Sequence, residues 1–298
     1  MIDKLKEFGD ALDYVSLKDY NTYKIDASAR YLIEPDNVDS LKNLLSFLKD
    51  NNIKYIILGN GSNVILDDGF FDGAIIKLSH FDELTIDGDT IYAGAGIILP
   101  KLSRKLINNG LVGLEWACGI PGTLGGSIVG NAGAYKAEIF DHIIKVKVLD
   151  TNNNEIKELN KEEIKHSYRY SSFKDNKNLL VLGAYLQLSK GNKEESLDLI
   201  NRRMKKRMET QPLDYPSAGS VFRNPENDFA GRIIEEDIKF KGKQVGGAKV
   251  SDKHANFIIN YDNATGSDIR NLISLIKEEV KEKDNIDLIV EQEIIDWK

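Results

Sequence analysis

Between Cys118 and Tyr135 the sequence reads CGIPGTLGGSIVGNAGAY, with six glycines (Gly119, Gly122, Gly125, Gly126, Gly130 and Gly133) in eighteen residues. Glycine loses the most conformational freedom on folding, so this density marks a backbone that turns sharply or lies against a ligand. The stretch carries no charge, and its polar side chains are Thr123, Ser127 and Asn131. Amides, small hydroxyls and no carboxylate suit an anion such as a diphosphate. A flexible linker is the bland alternative, but Ile120, Leu124, Ile128 and Val129 are core-type residues that linkers lack. A second loop, GNGSN at Gly59 to Asn63, sets Asn60, Ser62 and Asn63 beside Gly59 and Gly61 between two apolar runs. It breaks the G-x-G-x-x-G pattern at Val64 and lacks the lysine of a Walker loop. Alone it is equally well a strand-connecting turn; two phosphate-suited loops in one chain point to a shared dinucleotide.

Other candidates lie further along. Ser220, in PSAGSVFRNP, sits in a glycine-containing turn before apolar residues. It lacks the G-x-S-x-G setting and a nearby His/Asp pattern, so its chemistry would be proton donation rather than attack on a carbonyl. Its ordinary alternative is a turn serine capping backbone. In DLIVEQEIIDW, strand alternation would put Ile289, Glu291, Glu293, Ile295 and Trp297 on one face. A carboxylate on an apolar face is costly unless paired or used, and desolvation raises its pKa; Glu291 reads instead as a wet edge residue. Arg169, between Tyr168 and Tyr170, could grip a carboxylate bidentately or simply stack on tyrosine at the surface, and residue type alone favours the latter. The run Arg202, Arg203, Lys205, Lys206, Arg207 reads as a solvated helix face, one or two of whose members could meet a diphosphate. Of the four histidines none has metal-ligand spacing, and no metal is expected; His254, in KHANF, is the one in a site-like stretch.

These residues need a scaffold, and 298 residues allow a large core and more than one domain. Apolar content of 41%, charged content of 29% and a net charge of −7 describe a globular protein rather than a nucleic-acid binder. One cysteine excludes an internal disulfide and a cysteine-based metal cluster. The charged MIDKLKEFGDAL start lacks a signal peptide's apolar core, and no apolar run approaches the roughly 20 residues of a membrane span. A cytoplasmic protein without membrane insertion is expected.

The elements read as follows. A short amphipathic helix covers 1–19, a strand NTYKIDASARYLIEP, a helix Asn37 to Asn51, and strands on either side of GNGSN. Short strands then run from Gly73 to Gly96 with a hairpin turn at Asp87-Gly88, followed by a helix from Pro100 that stops at Gly110. HIIKVKVLD and LLVLGAYLQLS are strands. A charged helix spans Glu194 to Met208, SVF is a strand, a helix lies near 229–236, and strands lie around Lys249 and at 257–260. A last helix opens at a Thr265/Asp268 capping pair and buries Ile269, Ile273, Ile276 and Val280, and a terminal strand follows. The expected divisions are 1–75, 76–190 and 191–298.

Taken in order, NTYKIDASA (21–29), LGNGSNVIL (58–66), GIPGTLGGSIVGNAGAY (119–135), YRYSSF (168–173), AGSVFRNP (218–225), GGAKVSDKHANFIIN (246–260), DNATGSDI (262–269) and VEQEI (290–294) resemble the UDP-N-acetylenolpyruvoylglucosamine reductase family of flavoenzymes across nearly the whole chain. The resemblance implies an α+β architecture: a vanillyl-alcohol-oxidase-like two-lobed FAD-binding fold (1–75 and 76–190) plus a C-terminal α/β substrate lobe (191–298). It implies that NADPH reduces FAD, and that FAD then reduces the enolpyruvyl ether of UDP-N-acetylenolpyruvoylglucosamine to UDP-N-acetylmuramate for peptidoglycan. By motif, Ser220 is the proton donor, Glu293 the second glutamate of E-x-E, and Arg169 the arginine of Y-R. FAD falls to Asn60, Gly61, Ser62, Asn63, Gly122, Thr123, Gly126, Ser127, Asn131 and Gly133. Substrate falls to Tyr168, Arg207, Asn224 and His254, where some members carry glutamine. YRYSSFK leads so directly into LLVLGAYLQLS that the chain resembles the shorter subtype, without the tyrosine-bearing loop. Two rivals stay open: a flavin oxidase of the same fold, which would react with oxygen, and a non-catalytic nucleotide-sugar-binding module, which would hold no flavin.

Overall fold

In the computed structural model, which describes residues 1–297, the chain forms two compact units that each draw on several stretches. One comprises Met1–Asp13, Tyr31–Asn60 and Gly73–Lys205; the other comprises Tyr14–Arg30, Gly61–Asp72 and the chain from Lys206 onward. The chain passes from one to the other inside the strands Gly9–Ser16, Ala27–Pro35 and Gly69–Ile76, inside GNGSN, and inside the helix Lys193–Thr210.

In the first unit the helix Val38–Asp50 begins where the Asn37 side chain accepts the Ser40 amide at 3.0 Å. Its leucines, Leu41, Leu44, Leu45 and Leu48, recur at helical spacing and are buried with Leu5, Ile33, Ala74 and Ile76. The helix lies between the strands Ala27–Pro35 and Tyr55–Ile57, the β-α-β order read from sequence, and Tyr55–Ile57 runs parallel to Ala74–Ile76. An antiparallel sheet follows, ordered Glu155–Asn160, Ile143–Asp150, Leu179–Gln187, Thr90–Gly94, Leu84–Asp87. Its hairpin turns at Gly88, with φ +62°. Ile91, Ala93, Val146, Val148 and Ala184 of this sheet share a core with Leu102, Leu124 and Ile128. The apolar residues of the glycine block therefore anchor it, which a linker could not do.

The second unit holds an antiparallel sheet ordered Gln244–Val245, Ala248–Val250, Ile258–Asn260. The helix Gly266–Asp284 opens with a reciprocal capping box between Thr265 and Asp268 and buries Ile269, Ile273, Ile276 and Val280. Glu293–Ile295 runs parallel to Val64–Leu66.

Several expected elements differ. The 1–19 helix is confined to Ile2–Leu5, and Gly9–Ser16 is a strand. Gly9 has φ +150°, and a Cβ there would meet the Glu34 carbonyl at 2.1 Å, so a helix cannot pass through it. The strand expected from Asn21 starts only at Ala27. The buried Asn21 side chain takes the Ile25 amide at 2.9 Å and donates to Leu17 and Ile25 carbonyls, diverting the backbone from a ladder. Ser220–Phe222 is not a strand; its one ladder contact is the Phe222–Val290 bridge. The terminal strand shrinks to Glu293–Ile295.

Candidate active site

In the first unit, Gly59 and Asn60 lie against the glycine block. A Cβ on Gly59 would approach the Thr123 hydroxyl to 2.9 Å, and the Asn60 side-chain amide donates to the Pro121 carbonyl. The two phosphate-suited loops therefore meet. Thr123 caps Leu124–Gly130 by accepting the Gly126 amide at 3.3 Å. Gly122 is part-buried, and its carbonyl takes the Leu99 amide. Ser127 is buried and its hydroxyl donates to the Thr123 carbonyl at 2.7 Å, so that hydroxyl serves the helix itself. Gly133 starts a hairpin so close to Ala137 that a Cβ would sit 2.4 Å from its carbonyl. Among the described residues, the amides of Asn60, Gly61, Ser62 and Asn63 have no acceptor within the chain.

The Tyr168-Arg169 turn is stitched to this block. It joins His166–Ser167 to Tyr170–Ser171, and Arg169 occupies the left-handed region at φ 58°. A non-glycine residue pays about 1–2 kcal/mol there. Arg169 donates to the Gly133 carbonyl at 2.6 Å, and its guanidinium lies 4.9 Å from the Tyr168 ring centre. Asn131, fully buried and also left-handed, donates to the Ser167 carbonyl at 2.8 Å. Ser171 donates to the Val129 carbonyl at 2.8 Å. The Asn131 Oδ1 is buried with no partner among the described residues, an acceptor held ready for a donor. Arg169 thus stacks on Tyr168, the alternative that residue type favoured, and is also fixed beside the glycine block.

In the second unit the remaining GNGSN residues meet the E-x-E strand. Gly61, at φ +63°, lies where a Cβ would be 2.1 Å from the Tyr20 carbonyl, and its own carbonyl takes the Thr22 amide at 3.0 Å. Ser62 is half-buried. The Asn63 carbonyl takes the Glu293 amide at 2.9 Å, and its side chain donates to the Glu291 carbonyl at 3.3 Å. One step along, the Glu291 amide donates to the Val221 carbonyl at 2.8 Å. Asn63, Glu291–Glu293 and the segment after Ser220 are therefore in direct succession.

Two buried amides hold the Ser220 segment, and sequence reading found neither. Gln292 donates to the carbonyls of Ala218 (3.0 Å) and Gly219 (3.2 Å) and accepts the Tyr23 hydroxyl at 3.0 Å. Asn256 accepts the Phe222 amide at 3.0 Å and donates to the Phe222 carbonyl at 2.8 Å. Ser220 is half-buried, and its hydroxyl has no partner among the described residues. The signal was present: Asn256 in ANFII and Gln292 in VEQEI lie among apolar residues, where an amide is costly to bury unless bonded. The expected desolvated Glu293 is not found. Glu293 is exposed, as is Ile289 at 58%, while Gln292 is buried at 4%. The buried face has the opposite parity because Gln292, not an apolar residue, faces inward to Tyr23.

His254 is part-buried, its Nδ1 taking the Asn256 amide at 3.2 Å and its ring 4.8 Å from that of Phe257. Burial lowers its pKa below the ordinary value. With Nδ1 accepting, the neutral imidazole carries its proton on Nε2. Asn224 is exposed and its Oδ1 takes the Ala230 amide at 3.1 Å. Arg207 is half-buried on the helix Lys193–Thr210. Among the described residues no group of His, Cys, Asp and Glu could hold a metal ion.

Residues 29–160 match the FAD binding domain family, and residues 211–295 match the C-terminal domain of UDP-N-acetylenolpyruvoylglucosamine reductase. The chain is 43% identical to the UDP-N-acetylenolpyruvoylglucosamine reductase of Caldanaerobacter subterraneus subsp. tengcongensis, over 100% of this chain and 99% of that one. It is 44% identical to the protein of that name from Caldicellulosiruptor bescii, over 93% and 88% of the two chains. The crystal structure of UDP-N-acetylenolpyruvylglucosamine reductase from Thermus caldophilus superposes with a TM-score of 0.81 at 31% identity, covering 96% of this chain and 98% of that one. The α+β, FAD-binding fold expected from sequence is the fold of this chain, and the chain belongs to the UDP-N-acetylenolpyruvoylglucosamine reductase family.

Proposed function

We propose that this FAD-containing oxidoreductase uses NADPH to reduce the enolpyruvyl ether of UDP-N-acetylenolpyruvoylglucosamine, giving UDP-N-acetylmuramate for peptidoglycan. The observation that supports it most is the succession from Asn63 through Glu291–Glu293 to the Ser220 segment, which links a phosphate-suited loop to an alcohol and an acid. The residues present fit FAD. GNGSN offers amides without internal acceptors, glycines stand where any Cβ would collide, and the buried Asn131 Oδ1 awaits a donor.

Bound FAD supplies the hydride, drawn from NADPH, that the terminal carbon of the enol ether receives. Negative charge then develops on the neighbouring carbon and its carboxylate. Ser220 gives its hydroxyl proton to that carbon, completing the lactyl ether, and recovers a proton from solvent. Arg169 offers a planar guanidinium to the carboxylate, its position fixed by Gly133 and Tyr168. Glu293 is assigned to the reacting end of the substrate by its place in the E-x-E motif. His254 offers an Nε2–H donor, and Asn224, Arg207 and Tyr168 are assigned to the remainder of the sugar nucleotide. Asn60, Gly61, Ser62, Asn63, Gly122, Thr123, Gly126, Ser127, Asn131 and Gly133 are assigned to FAD. The working division is 1–75 and 76–190 for FAD and 191–298 for substrate. A cytoplasmic site of action follows from the NADPH requirement, and a pI of about 5.3 argues against nucleic acid as a partner. Among the described residues no helix is long and apolar enough to cross a membrane.

The visible spectrum tests this. The purified protein should be yellow, with FAD released on denaturation. A colourless protein that cannot be reconstituted would instead be a nucleotide-sugar-binding module, and rapid oxygen consumption with turnover would mark an oxidase.

A further inference from the structure

Lysine is among the side chains least often buried. Lys77 follows the strand Gly69–Ile76, its amide donating to the Ile33 carbonyl at 3.0 Å, and its side chain is half-buried. Its ammonium donates to the carbonyl of Gly59 at 3.1 Å, the first residue of GNGSN. In a trans peptide the carbonyl and the following N–H point in opposite directions. Gripping the Gly59 carbonyl therefore turns the Asn60 N–H away from the lysine. That N–H has no acceptor within the chain among the described residues. The same residue is held from the side, because the Asn60 side chain donates to the Pro121 carbonyl. The Gly59-Asn60 peptide is thus fixed at two points and presents one donor outward.

We propose that Lys77 is a positioning residue for the FAD diphosphate: by holding the Gly59 carbonyl it aims the Asn60 amide at a phosphate oxygen and places a positive charge beneath the loop. This rests on the reading of the chain as an FAD enzyme. Burial pulls this lysine below its ordinary pKa and outweighs the opposing pull of the Glu34 carboxylate.

The test is a titration of apoprotein with FAD and, separately, with riboflavin, which has no phosphate, followed by flavin fluorescence. Lys77→Met should weaken FAD about tenfold or more, the equivalent of one charged hydrogen bond, and leave riboflavin unchanged. Lys77→Arg, which keeps a donor and the charge, should recover most of the loss. Unchanged FAD affinity in Lys77→Met, or an equal loss for FAD and riboflavin, overturns the role, the second because it would report general damage to the fold. Wild-type protein that takes up no FAD overturns the flavoenzyme reading itself, and this role with it.

Discussion

The side-chain carbonyl of Gln292 accepts the hydroxyl proton of Tyr23 at 3.0 Å, although 269 positions separate the two in sequence. Tyr23 is fully buried, and burial holds its phenol protonated far above the ordinary pKa. The bond fixes which way the Gln292 amide faces. Its NH2 then has one place to go, the carbonyls of Ala218 and Gly219 just before Ser220. Tyr23→Phe should leave the buried Gln292 oxygen unpaired, costing about 1–3 kcal/mol of stability by chemical denaturation. Gln292→Leu should also slow reoxidation of reduced enzyme by the enolpyruvyl sugar nucleotide while leaving reduction by NADPH intact. If both half-reactions slow together in Gln292→Leu, the amide is not specific to the Ser220 segment.

Ser220→Ala removes the assigned proton donor and little else, since among the described residues the hydroxyl has no partner in the chain. Stopped-flow reduction by NADPH should keep its wild-type rate. Reoxidation by the sugar nucleotide should fall by about 10²–10⁴, the range for loss of a general acid. Equal loss in both half-reactions would defeat the assignment.

Gly61→Ala asks whether GNGSN must keep its path. A left-handed φ of +63° costs an alanine about 1–2 kcal/mol, and the Tyr20 carbonyl stands 2.1 Å from the new Cβ. The variant should lose thermal stability and release FAD on gel filtration. A variant that retains FAD and melts with the wild type would show that the loop has slack.

His254 gives a pH signature. Burial sets its pKa in the folded chain below the unfolded value of 6.5. Unfolding therefore takes up a proton, and the stability this residue contributes is complete above about pH 6.5 and is lost as pH falls through the folded pKa. Between pH 7.5 and pH 5.5 the wild type should lose more thermal stability than His254→Gln. Parallel losses would mean that the imidazole is not held neutral.

Much of this was legible in the sequence, for identifiable reasons. The helices Val38–Asp50 and Gly266–Asp284 announce themselves through caps at Asn37 and Thr265 and through apolar spacing, signals that are local. The glycine block was legible because Leu124 and Ile128 are core residues amid glycines. The GNGSN loop resisted assignment alone because nothing local says that Asn60 reaches Pro121, 61 positions away. Gln292, Asn256 and Tyr23 were missed for the same reason: their partners are set by tertiary structure. The Glu293 face was misjudged because alternation assumes an apolar buried row, and here the buried side chain is an amide with a hydroxyl partner.

The most direct measurement is anaerobic stopped-flow absorbance of the holoenzyme, mixed first with NADPH and then with UDP-N-acetylenolpyruvoylglucosamine. We expect the flavin band to bleach with NADPH and to return on adding the sugar nucleotide, with one lactyl product formed per flavin reoxidised. A flavin that bleaches but stays reduced in the presence of the sugar nucleotide, and recovers only with oxygen, would contradict the proposed reaction.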